Sequence, residues 1–355
     1  MATKSQVNIS YRRLDTSKQE FRLLELRPAT SVEDRVECRM VTARLGDEPE
    51  YIALSSLYGE PTESETIIVS GRPVTITRHL AQALRHVRAV FFPNIQRSNE
   101  RIAKQRKTPA WLRHLMKHIN SILPDPDAEQ RTPLRLWIDV LCVNQRDERE
   151  KLKQVNDMRQ IYGGAQIVVG WLGVKLEHSD AGLSCLNEVE ASMPKHWGDP
   201  GDREAHPEDY APTHAWFAKI DHLWAPTPEG ASCFTTPHWI GAQEIMYRPY
   251  FQRRWILEEI SMARFPTFLI GDSILHWKQI LRLNRLMEEL KYADSNAFPV
   301  ECRAGVAELP LETAQKLLDE FAKKRALEQA HILESSISSQ NSKSVPGSSV
   351  VSSLH

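Results

Sequence analysis

The sequence predicts an α/β fold in which a central, mostly parallel sheet is flanked by helices. Three observations carry that prediction. "LRLWIDVLCV" (Leu134–Val143) is apolar on both faces apart from Asp139, as a strand covered by helices on either side must be. "RDEREKLKQVNDMRQIY" follows, with Leu152, Val155, Met158 or Arg159, and Tyr162 at helical spacing. "QIVVGWLG" then returns to an apolar run. Strand, helix and strand form a crossover unit, which in a parallel sheet is right-handed. Asp147 with Glu150 marks the start of the helix, where acidic side chains suit the helix dipole. Gly163-Gly164 reads as its left-handed stop.

The other elements fall in order around this unit. "FRLLEL" (Phe21–Leu26) and "VECRMVTARL" (Val36–Leu45) alternate apolar and polar residues and read as strands of an N-terminal β segment, residues 1–50. "YIALSS" (Tyr51–Ser56) is a compact apolar run leaving through the turn-rich "LYGEP". "TIIVSGRPVTIT" is a hairpin about Ser70-Gly71, and "RHLAQALRHVRAVFF" places Leu80, Leu84, Val87 and Phe91 on one helical stripe. A polar, basic loop from Pro93 and an amphipathic helix, "AWLRHLMKHINSIL", precede the crossover unit.

The main domain runs over residues 51–275, with a Pro-, His- and Trp-rich insertion at about 194–237 that has little periodicity. "RPYFQRRWILEEISMAR" reads as helix and "PTFLIGD" as strand. Helices fill 276–335, and the Ser-rich 336–355 is expected to be disordered.

Composition narrows the function classes. The 355 residues are 41% hydrophobic and 26% charged, enough for an ordinary core without disulfide staples. Forty-five basic and 46 acidic residues give a net charge of −1, so neither nucleic acid nor an anionic membrane is an expected partner. No apolar run approaches the ~20 residues that span a bilayer, and the first thirty residues hold no secretory apolar region. The five cysteines are scattered and form no C-x-x-C, which fits a reduced, cytoplasmic protein. Thirteen histidines show no metal-ligand spacing, so no metal is expected, and glycine fingerprints for nucleotide cofactors are absent.

Ligands of parallel α/β sheets bind beyond the carboxyl ends of the strands. Ser55-Ser56, Asn144-Gln145 and Asp272 fall at such ends. Asn144 has two readings, loop or cap support and ligand contact, of which the first is the commoner for its residue type. Asp139, a carboxylate in an apolar strand, requires a partner, either within the protein or a ligand. In "RRWILEEI" the side chains of Glu258 and Glu259 diverge by ~100° on a helix, so they do not flank one scissile bond. Trp255 and Glu259, four apart, share a side. They either line a pocket or belong to an aromatic anchor with a surface Arg–Glu network.

Three blocks of the chain resemble the fungal heterokaryon-incompatibility (HET) domain: "YIALSSLYGEP", "LWIDVLCVNQRDEREKLKQVNDMRQIYGGAQIVVGWLG" and "PYFQRRWILEEISMAR". The resemblance covers roughly Tyr11 to Asp272. It departs from the family pattern at Ser56 and Tyr58, where larger aromatics are usual, and at Glu258, where Gln is frequent. The resemblance implies an intracellular protein of nonself recognition and programmed cell death, acting as a signalling module through self-association or through another incompatibility or sensor protein.

It also implies a TIR/flavodoxin-like sheet, related to the Toll/interleukin-1 receptor domain. Some TIR domains hydrolyse NAD with one glutamate in a W-C-x-x-E segment, which "WILEE" resembles and which assigns the role to Glu259. "ALSSLYGEP" is similar to a TIR turn, bringing Ser55, Gly59 and Glu60 into the comparison. On this resemblance Glu259 is the catalytic candidate. Ser55, Gly59, Asn144, Arg254 and Trp255 are the binding candidates, with NAD as substrate and no bound cofactor.

Overall fold

In the computed structural model, the described residues are 9–91, 134–199, 201–211, 213–225, 230, 232–252, 259–260, 262–263 and 266–292. Several expectations lie outside them: the basic loop and helix before residue 134, Arg254, Trp255, Glu258, and the C-terminal helix and tail beyond residue 292.

The fold is α/β around one nine-stranded mixed sheet. In chain order, β1 is Glu20–Leu26, β2 Glu37–Arg44, β3 Ile52–Ser55, β4 Ser64–Val69 and β5 Arg72–Thr77. Helix α1 (Arg78–Phe91) is followed by β6 (Leu134–Trp137), the single turn α2 (Asp139–Cys142), α3 (Glu148–Gly164) and β7 (Ile167–Gly173). Then come α4 (Ser179–Ser192), α5 (Asp202–Ala205), α6 (Pro237–Met246), β8 (Pro266–Ile270), β9 (Ser273–His276) and α7 (Trp277–Tyr292). The strand order is β5-β4-β2-β1-β6-β3-β7-β8-β9.

The expected mostly parallel sheet is reduced to a parallel centre, β6-β3-β7-β8, and one further parallel pair, β2 with β4. Antiparallel pairs flank that centre: β1 with both β2 and β6, β4 with β5, and β8 with β9. The N-terminal strands thus lie within the sheet, with β1 next to β6. Strand β1 is buried on both faces, and its polar residues are neutralised by long-range partners. Glu25 accepts from Arg39 at 2.6 Å and from Arg135 at 3.2 Å, and Arg22 meets Glu150. The hairpin about Ser70-Gly71 and the buried stripe Leu80, Leu84, Val87 and Phe91 are as expected.

Two parts of the crossover unit differ from expectation. The apolar run after Leu134 stays extended only to Trp137. Cys142 N–H then bonds Ile138 O at 2.8 Å, closing a helical turn. Asp139 sits at the start of that turn and accepts from Val140 N–H at 2.8 Å, so this carboxylate is not buried in mid-strand.

Helix α3 is rotated from the expected stripe: Leu152 is 66% exposed and Val155 44%, while Glu150, Gln154, Asp157 and Ile161 face inward. The polar residues can be buried because each has a partner. Gln154 donates to Glu20 O at 3.2 Å, and Asp157 pairs with Lys153. Gly163 and Gly164 lie within the last turn of α3 at ordinary φ, and the cap, Ala165, is extended rather than left-handed. A Cβ on Gly164 would stand 3.2 Å from the Tyr51 hydroxyl, so close approach is the use of that glycine.

Glu150 is the fixed point of this region. Arg22 grips its carboxylate through two bonds of 2.6 and 2.9 Å, and both side chains are buried. Arg22 also donates to Cys142 O and Arg12 O, while Glu150 accepts from Asn144 N–H at 2.8 Å. The insertion packs into an aromatic cluster of Trp197, Trp216, Trp224, Phe234 and Trp239. Helices α4 and α6 cross there at Gly182 and Gly241, where a Cβ on Gly182 would come within 2.2 Å of Gly241 backbone.

Removing one member of a buried ion pair strands the other, at a cost of about 3–5 kcal/mol. Arg22→Ala should therefore lower urea stability by about that amount, and Arg22→Met combined with Glu150→Leu should regain most of it. A loss under about 1 kcal/mol for Arg22→Ala would show that the pair is not a structural anchor.

Candidate active site

Ser55 is the last residue of β3, the strand at the middle of the parallel centre. Its register partner is Gly170 of β7. The Ser55 hydroxyl donates to Glu259 Oε2, which joins a residue of the early serine turn to one 204 positions later. Tyr250, in a 3-10 turn spanning Pro249–Gln252, donates its hydroxyl to Ser55 Oγ at 2.8 Å. The Tyr162 hydroxyl near the end of α3 is hydrogen-bonded to the same glutamate. Burial pushes the Tyr162 hydroxyl well above the ordinary tyrosine range, and the nearby carboxylates of Glu259 and Asp139 add to the shift, so Tyr162 stays a donor.

The result is a half-buried carboxylate served by two hydroxyls, one of them backed by a third. Such a group faces hydrogen-bond donors rather than bare apolar walls. Chemically it can stabilise a developing cation or orient a nucleophilic water. Glycine at position 170 makes the arrangement possible. A Cβ there would stand 2.5 Å from the Tyr250 hydroxyl oxygen and 2.7 Å from the Phe268 ring. A glycine inside a central strand marks such a close approach.

The other expected site residues are distributed differently. Gly59 has a left-handed φ of 85°, and a Cβ on it would stand 2.5 Å from His79 Cβ, so it packs on the first turn of α1. Thr77 donates to Tyr58 O and fixes the same loop. Asn144 is held within its own loop: its N–H bonds Glu150, and its side-chain oxygen accepts from Arg146 N–H at 3.2 Å. The cap of α3 is Asp147, which accepts from Arg149 and Glu150 N–H.

Tyr250 and Tyr162 were not singled out by sequence. Both stand in blocks that carry the family resemblance, but nothing in their spacing links them to Ser55. One further cluster has metal-ligand composition: donor atoms of His196, Asp202 and His206 lie within 4.8 Å of one another. Asp202 already bonds His196 Nδ1 and the Tyr210 hydroxyl, each at 2.7 Å, so the group reads as a hydrogen-bonded tie within the insertion.

Overpacking of a tight core contact costs about 1–3 kcal/mol. Gly170→Ala should destabilise the chain by about that much in chemical denaturation, and Tyr250→Leu in the same background should recover part of it. An unchanged midpoint for Gly170→Ala would mean that Tyr250 does not sit against β7.

Comparison with known proteins bears on the whole arrangement. Residues 93–259 match the family model "Heterokaryon incompatibility protein (HET)". That span holds Asn144 and ends at Glu259, with Ser55 and Gly59 lying before it. Among curated proteins, the chain is similar to heterokaryon incompatibility protein 6, OR allele, of Neurospora crassa. The two are 27% identical over 288 residues, which is 75% of this chain and 35% of that protein. The chain therefore spans about a third of the length of this curated relative. No solved structure matches. The family match and the relative agree, and two of the three motif blocks lie inside or overlap the matched span, so residues 93–259 are similar to the heterokaryon-incompatibility (HET) domain.

Proposed function

We propose that the chain acts in fungal nonself recognition and in the programmed cell death that follows. In this reading it works in the cytoplasm, triggered by self-association or by another incompatibility or sensor protein. Support comes from the HET family match and from the name of the Neurospora relative.

A second reading adds chemistry: the domain cleaves NAD at the nicotinamide–ribose bond, with Glu259 as the reacting carboxylate. One observation favours it, the meeting of Ser55 and Glu259 in a single hydroxyl-lined cluster at the carboxyl end of β3. The C1′–N bond breaks and its electron pair leaves with neutral nicotinamide. The ribosyl cation is stabilised by the Glu259 carboxylate. Water adds its oxygen to C1′ and releases one proton, so NAD and water give ADP-ribose, nicotinamide and H⁺. Ser55 and Tyr162 hold the carboxylate in place, and Tyr250 holds Ser55. The TIR-like assignment belongs to this reading; its structural support is limited to the parallel centre of the sheet.

The test follows nicotinamide release by the purified chain, concentrated to favour assembly. Glu259→Gln should reduce release by roughly 100-fold or more while leaving the fold unchanged by circular dichroism. Tyr250→Phe should reduce it less. No release from the wild type at any concentration, with cell death still induced on overexpression, would remove the catalytic reading and leave the signalling one.

A further inference from the structure

A second group of polar side chains stands farther along the same sheet edge. Arg248 is 9% exposed. Its Nε donates to Glu244 O at 3.1 Å, and its Nη1 donates to Leu172 O at 3.4 Å. Its Nη2 is buried with no hydrogen-bond partner among the described residues. The nearest acidic influence is Glu244, whose carboxylate is engaged by Ser179 Oγ at 3.1 Å and His178 N–H at 3.3 Å. Among the described residues this buried guanidinium meets two carbonyls and no carboxylate oxygen, an expensive arrangement without an anion.

His79 faces the same place. Its Nε2 is also buried with no partner among the described residues. Burial holds the imidazole below the ordinary histidine range, with the Arg248 charge as the second cause. Gly173 closes the arrangement. With φ at 109°, its absent side chain leaves a cradle: a Cβ there would be 3.0 Å from Arg248 Nη1 and 3.9 Å from His79 Cε1. Gly59 presses on His79 from the loop after β3.

We propose that Arg248 and His79 form a phosphoryl-binding subsite over Gly173, at the same sheet edge as Ser55 and Glu259. A guanidinium fork matches phosphate oxygens, and a neutral imidazole supplies one further donor or acceptor. Gly173 is three residues beyond Gly170, the neighbour of Tyr250, a separation of ~10 Å along β7. That spacing suits a nucleotide with its anomeric carbon at Glu259 and its phosphates at Arg248. The orientation rests on the catalytic reading of Glu259; the phosphoryl site itself does not.

The experiment titrates the full chain with ADP, inorganic phosphate and adenosine by isothermal calorimetry. ADP should bind wild type, adenosine should bind much more weakly, and inorganic phosphate should compete with ADP. Arg248→Lys, which keeps charge but loses the fork, should weaken ADP by roughly tenfold, the value of one charge-assisted hydrogen bond. His79→Gln, which breaks no hydrogen bond of the fold, should weaken it by a smaller factor.

Equal affinity for adenosine and ADP would overturn the subsite. So would undiminished ADP binding in a folded Arg248→Lys or His79→Gln, or no ADP binding by wild type. ADP binding that needs Arg248, without nicotinamide release by wild type, would sink the catalytic reading and keep the subsite. Release with an unchanged KM in both variants would sink the subsite and keep the catalysis.

Discussion

The buried bond between Arg22 and Glu150 governs the geometry on which everything else rests. Through it a side chain of β1 determines where α3 begins. The same guanidinium reaches Cys142 O at the end of α2, and the same carboxylate receives Asn144 N–H. One pair thus gathers an N-terminal strand, the exit from β6 and the entry to the crossover helix. At the other end of α3, the Tyr51 hydroxyl donates to Ile161 O. Held at both ends, the helix has no freedom to rotate. Tyr162, twelve residues and ~18 Å beyond Glu150, is delivered to Glu259 as a consequence. The polar inner face of α3 follows from the same cause, because a helix docked through Glu150 must turn Leu152 and Val155 outward.

The parts of this molecule governed by local rules were legible in the sequence. The α1 stripe needs only helical spacing, and the hairpin at Ser70-Gly71 needs only two residues that tolerate positive φ. The meeting of Ser55 and Glu259 was also foreseen, through family resemblance rather than spacing. Features set by distant partners were not legible. The antiparallel place of β1 beside β6 joins segments more than a hundred residues apart and leaves no mark on either. The inward face of α3 is invisible until Arg22 is known to be buried. Tyr250 is fixed by a missing side chain at Gly170, a signal that periodicity does not register. Arg248 and His79 carry no motif, and only one buried nitrogen on each, without a partner among the described residues, brings them to notice.

The sheet edge therefore holds two chemically unlike stations. At Ser55 and Glu259 a negative group is surrounded by hydroxyls; at Arg248 and His79 a positive group lies among carbonyls and glycines. Strands β3 and β7 set their spacing.

The crossing of α4 and α6 shows what such rigidity entails. Where Gly182 and Gly241 touch backbone to backbone, the two helices are pinned like crossed rods with no cushion between them. Even a methyl group would force the rods apart and loosen the tryptophan cluster beside them. A side chain at either position is accordingly expected to destabilise the chain, whereas the outward helical faces around them carry no such constraint. The joint is thus closed to added bulk while the surface around it is open to it.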